Sequence, residues 1–233
     1  MTPDAPPRPP ASLHVAGLFS MGYVDFYTFL IPLYGLSLGL DAGEIGMLVG
    51  GRSLVAMFLS IHIGVLMDRF GTRAVTLFFV WTAMAMAPVF PLLPWFWPLL
   101  VLQLVNGAAV SFAWSGAQTL IAQLAEGDAG AIGRFSFFAR IGTTTAPILA
   151  GAAWDWGGAW PAYLLAGLWG AVLTAALLRA PEAHAARGGR MRFRARDALP
   201  RLSDYVGSLL LAAIPAVALS IAIMTMRNAT YVV

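Results

Sequence analysis

Long apolar segments alternate with short polar breaks along this chain. Seven apolar segments have about 20 residues or more, the length that crosses a bilayer as a helix. They span residues 14–38, 43–66, 74–93, 95–124, 134–155, 158–178 and 205–227. Because lipid offers the backbone no hydrogen-bond partners, each segment must pair its own backbone groups as an α-helix. The pattern therefore predicts an all-α membrane protein.

The composition supports a membrane protein rather than a large soluble core. Apolar residues make up 59% of the 233-residue chain and charged residues only 11%, whereas soluble domains have about 25% charged residues. All 14 basic residues are arginine. The chain has no cysteine, which excludes disulfides, thiolate nucleophiles and cysteine metal sites.

The arginines indicate how the helices are oriented in the membrane. Counting alternate breaks, one side holds 11 of the 14 arginines and the other side holds none. Basic loops stay in the cytoplasm, so the pattern predicts a multi-pass protein of the cell inner (plasma) membrane with a cytoplasmic amino terminus. The basic charge then marks membrane topology, and no nucleic-acid partner is expected.

Two polar regions divide the chain. Residues 1–12 hold five prolines and are predicted to form a disordered cytoplasmic tail. Residues 13–178 carry six spans, and the arginine-rich stretch 179–203 predicts a cytoplasmic linker after them. A seventh span follows within residues 204–233.

A short charged segment separates the second and third spans. Residues 64–73 read Gly-Val-Leu-Met-Asp-Arg-Phe-Gly-Thr-Arg. Gly64 permits close helix approach and Gly71 permits a tight turn. Three charged side chains are available to pair with each other or with exposed helix ends: Asp68, Arg69 and Arg73. The alternative is an ordinary basic turn in the cytoplasm.

Written as Gly-x-Leu-x-Asp-Arg-x-Gly-x-Arg, this segment resembles the loop between the second and third helices of the major facilitator superfamily of secondary transporters. Thr72 stands where the family usually has a second basic residue. The resemblance implies two six-helix halves and transport by alternating access, with the charged segment as a conformational motif. It also implies that five helices are missing after the seventh span, a natural seven-helix protein being the alternative.

Charged residues also occur inside the predicted spans. Asp25 lies near the centre of the first span, Arg52 at a similar depth in the second, and Arg140 within the fifth. A charge at that depth costs about 2.5–3.5 kcal/mol on insertion scales and usually faces the bundle interior or a water-filled cavity. We interpret Asp25, Arg52 and Arg140, with Tyr27, as part of a substrate or ion path. A purely structural ion pair is the alternative.

The fourth span carries polar residues at helical spacings of three and four, which predict one polar face. They include Gln103, Asn106 and Gln118, which we expect to supply hydrogen bonds to the path. In the superfamily an arginine linked to proton coupling often lies four residues before a glycine of this helix. Here Gln103 stands four residues before Gly107, so Arg52 or Arg140 would have to substitute electrostatically.

The fifth span contains a run of small residues. Its sequence from Gly142 to Gly151 resembles the Gly-x-x-x-Gly-Pro-x-x-Gly-Gly signature of drug and metabolite antiporters, with Ala146 and Ala150 in two glycine positions. The resemblance implies export, with a hinge formed by Gly142, Pro147 and Gly151. Generic close packing of small residues is the alternative.

Several motifs are missing from the sequence. It has no phosphate-binding loop, no His-Glu-x-x-His and no Gly-x-Ser-x-Gly, so neither direct use of ATP nor hydrolysis is expected. No enzyme activity, cofactor or metal is predicted.

The sequence instead predicts a secondary active transporter of small molecules, of the proton-linked exporter type. Its expected partners are a small-molecule substrate, protons, the lipid bilayer, and either a missing C-terminal half or a second copy. The alternative is a truncated or half-size assembly partner without transport activity of its own.

Overall fold

A computed structural model of the protein describes residues 11–181 as a bundle of six long α-helices. The helices are α1 (Ala11–Ser37), α2 (Ala42–Phe70), α3 (Thr72–Met86), α4 (Phe96–Ala125), α5 (Ala129–Gly157) and α6 (Ala159–Arg179), with a 3₁₀ helix (Ala87–Leu92) after α3. This architecture confirms the predicted all-α fold class. The predicted tail (except for residues 11 and 12), nearly all of the linker and the seventh span with Arg227 lie outside the described residues.

Polar residues in the breaks act as helix caps. The Asp41 carboxylate accepts a hydrogen bond from the Glu44 amide at 2.8 Å, and the Glu44 carboxylate accepts one from the Asp41 amide at 3.0 Å. This reciprocal capping box pairs two N–H groups that the beginning of α2 would otherwise leave unpaired. Asp128 caps α5 by accepting a hydrogen bond from the Gly130 amide at 2.8 Å.

The turn between α2 and α3 is shorter than the sequence predicted. Asp68 and Arg69 belong to the last turn of α2, and Gly71 alone separates the two helices. Gly71 has φ +91°, a conformation that residues with a side chain rarely adopt. The predicted break over residues 67–73 was wrong in its length, because a single glycine reverses the chain here.

The third predicted span is two elements rather than one. The α-helix ends at Met86, and the chain continues as the 3₁₀ helix through Pro88 and Pro91. Proline has no N–H to donate and clashes with the preceding turn of an α-helix. The α-helical hydrogen-bond pattern therefore stops several residues before the chain leaves the bundle.

Five helical stretches among the described residues are long and apolar enough to cross a membrane. They are α1, α2, α3 together with the 3₁₀ helix, α4 and α6. The exception is α5, whose 29 residues extend about 44 Å, so its length is sufficient. Its composition differs because it carries Arg134, Arg140 and the three threonines 143–145.

Glycines set the closest approaches between helices. A Cβ added to Gly142 of α5 would overlap the carbonyl oxygen of Leu18 in α1, so these two backbones are in contact. At Gly107, α4 lies against α2 in the same manner, since an added Cβ would be 2.6 Å from the Cα of Arg52. Small residues allow such contacts in membrane helices. Close backbone contacts therefore join α5 to α1 and α4 to α2.

The outer face of α2 is largely uncovered in this bundle. Among the described residues, nothing lies within 4 Å of a Cβ added to Gly46, Gly50 or Gly64. Gly64 therefore does not bring two helices together within residues 11–181, contrary to the expectation from the sequence. Met57 and Phe58 on the same helix are 63% and 67% exposed.

Candidate functional site

Polar side chains from the middle of α1, α2 and α5 face one another. The carboxylate of Asp25, half-buried near the centre of α1, interacts electrostatically with Arg52 of α2 and Arg140 of α5, and Thr143 of α5 is a neighbouring hydroxyl. Asp25 Oδ2 is buried and has no hydrogen-bond partner among residues 11–181. We call Asp25, Thr28, Arg52, Arg140 and Thr143 the mid-membrane cluster.

Arg52 reaches from α2 to α1. Its Nη1 donates hydrogen bonds to the hydroxyl of Thr28 and, at 3.5 Å, to the carbonyl oxygen of Val24. Its main chain is pressed against Gly107 of α4. Within the described bundle, Arg52 and Asp25 form no direct ion pair, so their charges interact through space. The sequence predicted that Asp25 and Arg52 lie at similar depth. It did not show that the Arg52 guanidinium bonds to Val24 and Thr28 instead of to the Asp25 carboxylate.

Arg140 is the exposed charged residue of the cluster. Its guanidinium makes no hydrogen bond or ion pair with any of the described residues. It lies about 17 Å from the beginning of α5, deep enough that contact with lipid would be costly. This face of α5 must therefore border water or protein.

The polar residues of α4 have two different environments. Gln103 and Asn106 are 1% and 0% exposed, and Gln103 Oε1 and both amide atoms of Asn106 have no partner among residues 11–181. Gln118, nearer the end of α4, is exposed. Helical spacing places residues on one face, but it does not determine what covers that face at each depth.

Tyr27 lies in the aromatic core rather than beside the cluster. It is fully buried, and its ring centroid is 5.5 Å from that of Phe90 and 6.1 Å from that of Tyr163. Residues two apart on a helix point about 200° apart, so Tyr27 and Asp25 face nearly opposite directions. The structure does not bring Tyr27 to the mid-membrane cluster.

The charged turn is tied to neighbouring helix ends. Arg73 Nη1 donates a hydrogen bond to the carbonyl oxygen of Ala180, after the last residue of α6, at 3.0 Å. Helix carboxyl ends carry partial negative charge, which an arginine stabilises. Thr72 Oγ1 donates to Gln123 Oε1 of α4 at 3.0 Å. Both bonds link residues far apart in sequence, so the sequence could not identify the partners.

The small residues of α5 form its contact surface with α1. Gly142, Ala146 and Ala150 are buried, and a Cβ added to Gly151 would lie 3.6 Å from the ring of Phe29 in α1. Pro147 cannot donate a main-chain hydrogen bond to the preceding turn. The fifth-span signature thus corresponds to a helix contact, and its hinge function remains a prediction.

Neither a metal site nor a cofactor site is evident in the described part of the chain. No three acidic or histidine side chains within residues 11–181 are grouped so that they could hold a metal ion. The mid-membrane cluster has one carboxylate against two guanidinium groups, a charge balance that disfavours cations. Its groups are suited to hydrogen bonding, ion pairing and proton exchange.

Comparison with known proteins identifies the family. No match was found among curated proteins. The family model described as Major Facilitator Superfamily matches residues 13–232, nearly the whole chain, which confirms the resemblance seen in the charged turn. Members of this family are multi-pass transporters that act on small-molecule substrates in a lipid bilayer. The chain belongs to the Major Facilitator Superfamily and is a membrane transporter.

Proposed function

We propose that this chain is a secondary active transporter working by alternating access, and that it is a proton-linked exporter of the drug or metabolite type. The mid-membrane cluster is the observation that carries this proposal. Charged groups are costly at this depth, and internal pairing leaves Asp25 Oδ2 without a hydrogen bond and Arg140 exposed. A water-accessible path for substrate and protons accounts for both observations.

We assign proton exchange to Asp25. It is the one acidic residue of the described chain that lies away from the helix ends and turns. Protonation would remove its attraction to Arg52 and Arg140, and with it a charge-dependent link between α1, α2 and α5. A proton that binds one conformation better than another shifts the balance between the two. This arrangement supports proton coupling without the arginine that the family often has on α4.

Export and proton coupling are tested together in membrane vesicles. We expect everted vesicles from cells that express the chain to accumulate at least one of a panel of fluorescent small molecules, and to lose this uptake when the pH gradient is collapsed. Vesicles with an empty vector provide the control. Uptake that is insensitive to the pH gradient would contradict proton coupling, and uptake confined to right-side-out vesicles would contradict export.

We further propose that the charged turn is a conformational latch at the cytoplasmic end of the bundle, formed by Asp68, Arg69 and Arg73 around Gly71, with Gly64 one turn before Asp68. The hydrogen bond from Arg73 to Ala180 supports this proposal, since it joins the beginning of α3 to the end of α6. Contacts of this kind stabilise one transport state when they are broken in the other. The exposed Asp68 carboxylate is available to a second half of the transporter.

The latch predicts that Asp68→Asn lowers transport several-fold at an unchanged level of membrane protein. Transport should fall because the substitution removes the charge that the latch uses. The protein level should not change, because Asp68 is exposed and asparagine creates no clash there. Uptake is measured in the same vesicles and normalised to the amount of protein. Glu126→Gln, an exposed acidic residue at the same end of the bundle, should transport like the wild type. Equal uptake by Asp68→Asn and wild type would remove Asp68 from the latch.

A second candidate function follows from the uncovered face of α2. With Met57 and Phe58 exposed and Gly46 and Gly50 without contacts in the described bundle, α2 can accept another helical unit. A half-size assembly partner without transport activity would present such a face to a separate C-terminal half or to a second copy. Light scattering of the purified chain in detergent gives its oligomeric state. A chain that is inactive in the vesicle assay would favour this candidate: a monomer would indicate a separate C-terminal half as the partner, and a dimer a second copy.

A further inference from the structure

We propose that the mid-membrane cluster binds an organic anion, and that Arg140 is the residue that contacts its carboxylate, sulfonate or phosphate group. The inference rests on the proposed function, because it names the substrate class of the same path. It goes further by assigning one side chain to substrate recognition.

The cluster carries an unbalanced positive charge. Asp25, Arg52 and Arg140 are the charged residues at mid-depth in the described bundle. Every other charged residue of 11–181 lies within about two turns of a helix end or between helices. One carboxylate and two guanidinium groups leave a formal excess of one positive charge. This excess attracts an anion and repels a cation.

The two arginines differ in their availability. Arg52 donates to Thr28 and Val24 of α1, and its main chain is fixed against Gly107 of α4. The Arg52 guanidinium is therefore already engaged by α1. The Arg140 guanidinium is exposed and makes no hydrogen bond or ion pair with the described residues. Its planar set of N–H donors matches a carboxylate or phosphate with two parallel hydrogen bonds.

The direction of transport agrees with an anionic substrate. The cell interior is electrically negative, so the membrane potential drives an anion outward. An anion leaving the cell moves with the potential, whereas a cation would move against it. Anion selection by Arg140 and export are thus physically compatible.

Three probes of matched shape test the substrate class on the purified full chain in detergent. They are 2-naphthoate (anionic), 2-naphthamide (neutral) and 2-naphthylmethylammonium (cationic), each at the same concentration and ionic strength. A ligand that binds the folded state raises the midpoint of thermal unfolding, which tryptophan fluorescence reports. We expect 2-naphthoate to raise the midpoint and the other two probes to leave it unchanged.

Variants of α5 test the residue assignment. Arg140→Gln should weaken 2-naphthoate binding about tenfold or more, the loss expected from removing roughly 1.4 kcal/mol of binding free energy. Arg134→Gln is the matched control: Arg134 is on the same helix but pairs with Asp128 at 3.8 Å, outside the cluster. This control should bind 2-naphthoate like the wild type.

The proposal fails on any of three results: no shift with 2-naphthoate, an equal shift with the cation, or unchanged 2-naphthoate affinity in Arg140→Gln. If Arg140→Gln does not fold, Arg140→Lys decides instead. Lysine keeps the charge but lacks the planar donors, so its affinity for 2-naphthoate should fall several-fold. An unchanged affinity would overturn the assignment.

The binding assay is independent of transport, so failures of the two proposals can be told apart. If 2-naphthoate binds through Arg140 to a chain that is inactive in vesicles, the anion site stands and the transport proposal fails. If the vesicles export a cation with dependence on the pH gradient, the transport proposal stands and the anion site is wrong.

Discussion

Replacing Asp25 with asparagine is expected to lower transport about tenfold or more while the protein still folds. Asparagine has nearly the same shape, but it carries no negative charge and exchanges no proton at neutral pH. Arg52 and Arg140 would then lose the carboxylate with which both interact. The initial rate of uptake in everted vesicles, with and without a pH gradient and at matched protein levels, provides the measurement.

The control variant and the possible outcomes distinguish a role of Asp25 in the transport path from a structural role. Asp155→Asn changes an exposed acidic residue near the end of α5, so it should transport like the wild type. A wild-type rate and pH dependence in Asp25→Asn would remove Asp25 from the path. Loss of folded protein would instead assign Asp25 a structural role, because the partly buried Arg52 would lose a nearby compensating charge.

Gly142→Ala should strongly destabilise the bundle. The added Cβ would overlap the Leu18 carbonyl oxygen, which belongs to the main chain and cannot move aside as a flexible side chain would. Overpacking costs about 1–3 kcal/mol and occasionally more, and contact between two backbones places this variant at the upper end. The midpoint of thermal unfolding in detergent, with the yield of monodisperse protein, reports the loss.

Gly133→Ala is the matched control on the same helix. Among the described residues, nothing lies within 4 Å of a Cβ at Gly133, and alanine favours a helix over glycine by roughly 1 kcal/mol. This variant should unfold at or slightly above the temperature of the wild type. If Gly142→Ala behaved like Gly133→Ala, the close contact between α1 and α5 would be wrong.

Local sequence signals predicted the helices better than the turns between them. The breaks before α2 and α5 were recognised as polar, and the structure shows Asp41, Glu44 and Asp128 acting there as caps. The turn at Gly71 was predicted too long, since hydropathy does not show that one glycine with positive φ can replace a loop. Two prolines likewise converted the end of the third predicted span into a 3₁₀ helix.

The sequence by itself determined the all-α membrane class, the approximate spans and the family, because apolar length and the charged turn are properties of neighbouring residues. Only the tertiary structure decided which polar groups meet. In the structure the Arg52 guanidinium donates a hydrogen bond to the Thr28 hydroxyl, and Arg140 is exposed. Tyr27 lies in the aromatic core. These contacts join different helices. Their positions depend on where two helix backbones approach each other, as they do at Gly107 and Gly142. The periodicity of residues within one helix does not specify where that approach occurs.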